Sequence, residues 1–240
     1  MKYMVYGVIL AGGVGSRMGG DKPKQYLNLK GKPIIVYTIE KFYTCPEFEK
    51  IIVLCPAQWV EHTKNLIKKH IAPAEDRVEV IEGGSTRNET IMNAISYIEK
   101  QGRLDESTVI VTHDSVRPFV THRIIKENIE ACEKYGACDT VIPATDTIVE
   151  AQNGKTISSI PNRSIMYQGQ TPQSFKALKL KEIYNSLTAE EKDILTDAAK
   201  ILVLKGENVA LVDGETFNIK ITYPYDMRVA KSLLEDEADD

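Results

Sequence analysis

The sequence predicts an α/β fold in which a mostly parallel, Rossmann-like sheet is flanked by helices and an antiparallel β-ribbon projects from it. Through residue 143, short apolar runs alternate with amphipathic stretches at helical spacing, the pattern of repeated β-α units. The first run passes straight into a glycine-rich turn, and two later ones end in polar loops. Beyond it the alternation gives way to polar and β-branched residues around Asn153-Gly154, a hairpin signal.

At 240 residues the chain is long enough to bury a substantial core as one domain, and 42% hydrophobic with 27% charged residues is an ordinary globular composition. A formal net charge of -4 gives no reason to expect a nucleic acid or an anionic membrane as partner. Cys45, Cys55, Cys132 and Cys138 form no C-x-x-C pair, and no His lies at metal-ligand spacing from them, which suits buried or idle thiols in a reducing cytoplasm. The opening run MKYMVYGVILAGG is too short to span a bilayer and leads at once into charged sequence, so it reads as a strand and no export is expected.

The stretch Val8 to Leu29 organises the rest. Its apolar residues, ending at Leu10, deliver Ala11-Gly12-Gly13 and then Gly15, where bare backbone can approach a bulky ligand and turn amides toward phosphate oxygens. Arg17 and Lys24 bring positive charge to the same mouth, which suggests a nucleoside triphosphate. Gly13-Val14-Gly15 alone would also suit a dinucleotide fold, but the next strand, Lys50 to Cys55, ends in Cys55-Pro56 without the ribose-binding carboxylate. No Gly-Lys-Ser/Thr triplet follows, so the Walker pattern fails. A plain tight turn with solvated cations stays open on these residues alone.

The remaining elements follow in order. Pro33 to Phe42 has helical spacing with Pro33 in the first turn, Lys50 to Cys55 is a strand, and Gln58 to His70 is an amphipathic helix. Strand Val78 to Ile81 delivers Gly83-Gly84, after which Thr86 and Glu89 stand at capping-box spacing at the start of a helix ending at Lys100. Strand Thr108 to Thr112 leads to His113-Asp114-Ser115-Val116-Arg117-Pro118-Phe119, placing Asp114 just past the strand's carboxyl end. Parallel units of this kind bind ligands outside those ends, so the three loops should share one mouth. Helix Thr121 to Tyr135 and strand Cys138 to Pro143 follow, then the ribbon, residues 145 to 170. An isolated ribbon is marginal in water and needs support from a second subunit or from the main domain. Helix Leu178 to Ser186, a second capping box at Thr188 and Glu191, helix Asp197 to Leu204, strand Val209 to Val212, the stretch Asn218 to Ile221 and a final helix near Pro224 complete the chain. The acidic residues from Glu235 to Asp240 read as a solvated tail.

Taken in order, LAGG-x-G-S-R-M-G-x-x-x-P-K-Q-Y, GG-x-x-R and HDSVRPF resemble the polyol-phosphate cytidylyltransferases, a nucleotidyltransferase family. The resemblance continues through Asp146-Thr147, Gln170-Thr171-Pro172-Gln173, Thr196-Asp197-Ala198 and Asn218-Ile219-Lys220. It implies transfer of CMP from CTP to a polyol phosphate by a Mg²⁺-dependent homodimer joined through the ribbon. Two branches share these motifs, one acting on D-ribitol 5-phosphate for teichoic-acid synthesis, the other on 2-C-methyl-D-erythritol 4-phosphate for isoprenoids. HDSVRPF, Tyr167-Gln168-Gly169-Gln170 and Asn88-Glu89-Thr90 look more like the ribitol branch, since the other usually has two alanines where Ser115-Val116 stand.

The resemblance also implies roles. Arg17, Lys24 and Lys220 would be catalytic cations around the α-phosphorus. Leu10, Ala11, Gly12, Gly13, Gly15, Gly84, Arg87, Thr90 and Asp114 would bind the nucleotide, and Asp114 would hold Mg²⁺. Thr147, Arg163 and Thr171 of the partner subunit would bind the acceptor phosphate. On residue chemistry alone, Arg117 reads as the structural partner of Asp114 and His113 as a hydrogen-bonded strand-end residue. Many isoprenoid-branch members carry a metal-binding aspartate just before Asn-Ile-Lys; here Glu215-Thr216-Phe217 stands there, so Glu215 or water would complete the ion's shell. A non-catalytic nucleotide-binding module and an NAD-dependent reductase are the alternatives of other classes. The intact set of cations disfavours the module.

Overall fold

Strand β1 (Met4–Leu10) is buried beyond its first residue, as a strand covered by helices on both faces must be. The computed structural model describes residues 3–13, 22–71 and 76–236. A minimal antiparallel pair, β2 (Asn28–Leu29) and β3 (Lys32–Pro33), follows, then α1 (Ile34–Tyr43), β4 (Lys50–Cys55), α2 (Val60–His70), β5 (Val78–Glu82) and α3 (Arg87–Lys100). The second half runs β6 (Thr108–Asp114), α4 (His122–Tyr135), β7 (Ala137–Pro143), β8 (Tyr167–Lys176), α5 (Ala177–Asn185), α6 (Ala189–Asp193), α7 (Ala199–Leu204), β9 (Ala210–Asp213) and α8 (Pro224–Asp236). Among the described residues no helix is long and apolar enough to cross a membrane.

Among the described residues, seven strands form one sheet in the order β5-β4-β1-β6-β8-β7-β9. The chain winds outward from β1 through β4 to β5, then returns to lay β6 on the other side of β1, so strand order reverses between β1 and β6. There Leu10 is the cross-strand partner of Asp114. One face of the sheet packs Ile35, Ile39 and Phe42 of α1, with Ile124, Ile125 and Ile129 of α4, against Ile9, Val53 and Val111. The other packs Ile91, Ile95 and Ile98 of α3, with Leu180 and Ile201, against Val8, Ile110 and Phe175. A smaller cluster of Leu29, Ile34, Val116, Phe119, Ile221 and Ala230 ties β2 and α8 to the loop after β6.

Local signals explain most boundaries. Both capping boxes form, with Glu89 N–H donating to Thr86 Oγ1 at 3.1 Å and Glu191 N–H to Thr188 Oγ1 at 3.2 Å. Pro33 stands at the N-cap position of α1, just outside the helix, rather than in its first turn. Helix α7 begins two residues later than Asp197, because the Asp197 carboxylate accepts the Lys200 N–H at 3.1 Å and so acts from outside the helix.

Two expectations need correction. Asp114 is the last residue of β6, not a loop residue past its end, because parallel pairing with β1 continues through Leu10. The antiparallel ribbon expected from 145 to 170 is narrower than its sequence suggested. Its outer part makes one antiparallel bridge, Glu150 with Ser159, and from Tyr167 the chain is β8, antiparallel to both β6 and β7 inside the main sheet. The alternating polar residues of the outer part have no sheet face to cover, whereas Gln170 to Phe175 bury in the gap between two strands.

Candidate active site at the switch point

A cavity of about 410 Å³ opens at the carboxyl ends of β1 and β6, where a sheet of this topology receives ligands. Its lining includes Leu10, Gly12, Gly13, Lys24, Gly84, Arg87, Thr90, Asp114 and Lys220, all expected from the sequence. Arg17 and Gly15 lie outside the described residues. Among the described residues, a Cβ built at Gly12 or Gly13 would meet nothing within 4 Å. Both line the cavity, where no described side chain or backbone fills the space beside them. Gly84 differs, since a Cβ there would lie 2.4 Å from Glu89 Cβ and 2.9 Å from Thr90 N. Only glycine allows the second turn to fold down on the start of α3, where Gly84 N–H donates to Thr90 Oγ1 at 3.0 Å.

Lys24 belongs to a short 3-10 turn, Lys24–Tyr26, that is buried as a unit. Gln25 Nε2 donates to the Ala11 carbonyl at 2.7 Å, and the Tyr26 ring stacks on Trp59 at 4.7 Å between centroids, so the turn is fixed against the glycine loop. Ala11 is not among the cavity's described lining residues. Its N–H goes to Leu54 O at 2.8 Å and its carbonyl holds Gln25, which leaves no N–H for a nucleotide.

Asp114 is 6% exposed and, among the described residues, is approached by three cations. Arg87 NH1 bonds its Oδ1, Lys220 Nζ lies 2.8 Å from Oδ2, and Arg117 Nε lies 3.7 Å from Oδ2. Burial by itself would raise the Asp114 carboxyl, but the charges of Arg87, Lys220 and Arg117 outweigh it and hold the group well below the usual carboxylate range. Arg117 is itself buried and donates through NH1 to the Asn218 carbonyl at 2.8 Å, joining Asp114 to the segment that carries Lys220.

His113 is fully buried, and burial pushes its imidazole down to about 4. The neutral ring spans the Arg117 carbonyl, 3.0 Å from Nε2, and Thr171 Oγ1, 2.8 Å from Nδ1. Because a carbonyl can only accept, Nε2 carries the proton and Nδ1 accepts from Thr171, whose oxygen in turn accepts the Asp114 N–H at 3.2 Å. This corrects the acceptor-phosphate role expected of Thr171. The residue is 4% exposed and its one proton is committed to His113, so its place is beneath Asp114, inside its own subunit. Thr147 and Arg163 do lie on the exposed segment before β8, where Arg163 NH1 donates to the Thr145 carbonyl at 2.8 Å. The cavity therefore brings together the first group of predicted residues and leaves Thr147 and Arg163 off its lining. Glu215 pairs with Arg123 at 2.7 Å and is not on that lining either.

Ser85, Thr86, Ser115, Val116 and Thr222 also line the cavity, and Gln25 fixes it, none of them anticipated in these roles. The P-K-Q-Y and HDSVRPF runs contained Gln25 and Ser115, but the Gln25 contact with Ala11 is non-local and leaves no periodic trace.

A family model described as IspD, 2-C-methyl-D-erythritol 4-phosphate cytidylyltransferase, matches residues 5–236. Among solved structures, the chain is similar to the 2-C-methyl-D-erythritol 4-phosphate cytidylyltransferase of Francisella tularensis, at 27% identity and TM-score 0.78 over 95% of this chain and 99% of that one. The enzyme of the same name from Thermus thermophilus matches at 26% identity and TM-score 0.70 over 98% and 100%. A 4-diphosphocytidyl-2C-methyl-D-erythritol synthase from Anaerococcus prevotii shares the fold at 24% identity and TM-score 0.79 over 98% and 97%. With the glycine turns, the cations and the carboxylate of the switch point all inside the matched region, the chain belongs to the IspD family of cytidylyltransferases, CTP-dependent nucleotidyltransferases.

Proposed function

We propose that the protein transfers CMP from CTP to D-ribitol 5-phosphate, giving CDP-ribitol and pyrophosphate for teichoic-acid synthesis, as a single-domain enzyme that works as a homodimer in the cytoplasm. The observation that carries the reaction is the meeting of Lys24, Arg87 and Lys220 in one cavity around Asp114. A phosphate monoester has its second pKa near 6, so at neutral pH the acceptor is largely dianionic and attacks the α-phosphorus without a general base. The bond to the bridging oxygen breaks, and pyrophosphate leaves with the electron pair. What the protein must supply is neutralisation of crowded negative charge and alignment of two phosphates that repel each other. Lys24 and Lys220, with Arg17, answer the first need. Gly12 and Gly13 leave room for the nucleoside beside backbone groups that can read its edge, and Gly84 lets the second turn fold onto α3 at the same mouth.

Asp114 is the one carboxylate among the cavity's described lining residues, and no group of three or more His, Cys, Asp or Glu side chains able to hold a metal occurs among the described residues. That donor set fits Mg²⁺, which takes one or two carboxylates and draws its other ligands from phosphate oxygens and water. Bound there by Asp114, the ion would supply further charge neutralisation on the triphosphate. Arg87, Lys220 and Arg117 would keep the carboxylate ionised, and the Thr171-His113 pair beneath would hold its main chain in place.

Ser115-Val116, Tyr167-Gln168-Gly169-Gln170 and Asn88-Glu89-Thr90 support ribitol phosphate as acceptor. The names of the solved relatives support a second reading, methylerythritol phosphate. Incubation with CTP, Mg²⁺ and each acceptor in turn, followed by pyrophosphate, separates them: turnover with D-ribitol 5-phosphate is expected, and turnover with methylerythritol phosphate alone would replace the first reading by the second. The dimer is supported by the outer segment and the start of β8, where Val149, Ile157, Ile160, Ile165 and Tyr167 are each at least 48% exposed and stand near Thr147 and Arg163 in the chain. The four cysteines, all free and buried, are in keeping with a reducing compartment.

A further inference from the structure

Lys220 stands on a stretch of main chain, residues 214–222, that belongs to no helix or strand, yet its ammonium must be placed to within a fraction of an ångström to serve one reacting phosphorus. Few backbone bonds fix this stretch to the sheet and the β6 loop. Gly214 N–H donates to Val141 O at 2.8 Å before it, and Ile221 N–H to Val116 O at 2.9 Å after it. Between them the chain turns at 215–218, and the side chain of Gln170 holds that turn at two points. Gln170 Nε2 donates to the Glu215 carbonyl at 2.8 Å, and Gln170 Oε1 accepts from Asn218 Nδ2 at 3.0 Å. Asn218, fully buried, also donates to the Thr171 carbonyl at 2.9 Å and receives Arg117 at its own carbonyl. Gly214 completes the arrangement, because a Cβ there would stand 2.4 Å from Gln170 Oε1 and 3.0 Å from Thr140 Cγ2.

We propose that Gln170 is a positioning residue for Lys220: its amide clamps the 215–218 turn at both ends, and Gly214 keeps the space that the amide occupies. Gln170 is 7% exposed and absent from the cavity's lining, so it acts through the turn and not on the substrate. The inference rests on the reading of Lys220 as a catalytic cation.

The test is a double-mutant cycle on the full chain, with CTP, Mg²⁺ and whichever acceptor the enzyme turns over. Gln170→Met removes both hydrogen bonds at similar volume and is expected to lower kcat roughly tenfold to hundredfold, with KM for CTP changed by less than about threefold. In a Lys220→Ala background the same substitution should cost nothing further, since the group it positions is gone. Gly214→Ala should reproduce the Gln170→Met loss by steric displacement. Should Gln170→Met fail to fold, Gln170→Glu, which keeps an acceptor for Asn218 but loses the donor to Glu215, enters the same cycle. A wild-type kcat in the Gln170 variant, or an equal loss in both backgrounds, would overturn the clamp while the reading of Lys220 stands. A wild-type rate in Lys220→Ala would overturn both.

Discussion

Lys220 Nζ lies 2.8 Å from Asp114 Oδ2, so a residue of an irregular segment near the end of the chain meets the last residue of a central strand. With Arg87 and Arg117 on the same carboxylate, Asp114 balances more positive charge than its own. An excess of cations around one anion is what a triphosphate site requires before its ligand arrives.

Removing that anion should be costly in two ways. Asp114→Asn leaves the buried Arg117 without its partner, and breaking a buried pair on one side costs about 3–5 kcal/mol. Urea unfolding at pH 7 should register that loss. Pyrophosphate release should fall at least about a hundredfold.

Lys220→Ala should separate activity from stability, because its side chain is 43% exposed. An exposed ion pair contributes at most about 1 kcal/mol. Loss of a charge that stabilises the transition state costs roughly 100-fold to 1,000-fold in kcat. Lys24→Ala should show the same kinetic loss in a steady-state assay.

Stability should carry two opposing pH dependences in one window. His113 sits at about 4 in the fold against an ordinary 6.5, so its contribution is complete above pH 6.5 and is lost as pH falls toward 4, about 3 kcal/mol in all. Asp139 runs the other way. Burial, only partly offset by Gln173, raises it from 3.8 to about 7, so ionising it destabilises the fold progressively as pH rises through that range, by about 4 kcal/mol. Urea unfolding between pH 4.5 and 8 should show Asp139→Asn gaining stability relative to wild type as pH rises. His113→Gln should lose stability relative to wild type over the same rise, and identical slopes in all three proteins would rule out both assignments.

The first turn of α3 couples cap and site. Thr86→Ala removes the hydroxyl that accepts the Glu89 N–H, at a cost of about 1 kcal/mol. Because Arg87 and Gly84 flank this cap, KM for CTP should rise several-fold in the same variant, measured at saturating acceptor.

The exposed apolar segment before β8 should hold a second copy. Ile157→Asp combined with Ile160→Asp, at positions 60% and 61% exposed, should convert a dimer to a monomer in light scattering at micromolar concentration. Activity should fall with it if Thr147 and Arg163 serve the neighbouring active site.

What could be read from sequence divides along physical lines. Thr86 with Glu89 and Thr188 with Glu191 are local devices whose partners lie within a few residues, and they are legible in the sequence. The convergence of Leu10, Gly84 and Asp114 on one mouth followed from the handedness of parallel β-α units. The place of β8 was not legible, because Gln170 to Gln173 is polar and proline-bearing, and only cross-strand partners such as Thr112 and Asp139 make such a run a buried strand. For the same reason the sequence does not show that Thr171 is buried. Its partners, His113 and the Asp114 amide, are distant in the chain.

The most direct measurement follows the label of CTP carrying ³²P at the α-phosphate or, separately, at the γ-phosphate, in a single turnover with the acceptor. The α-label should appear in the CDP-polyol and the γ-label in pyrophosphate, both at least about a hundredfold more slowly in Lys24→Ala and Lys220→Ala. A γ-label on the polyol, or wild-type rates in the lysine variants, would contradict the assignment of these cations to the α-phosphorus.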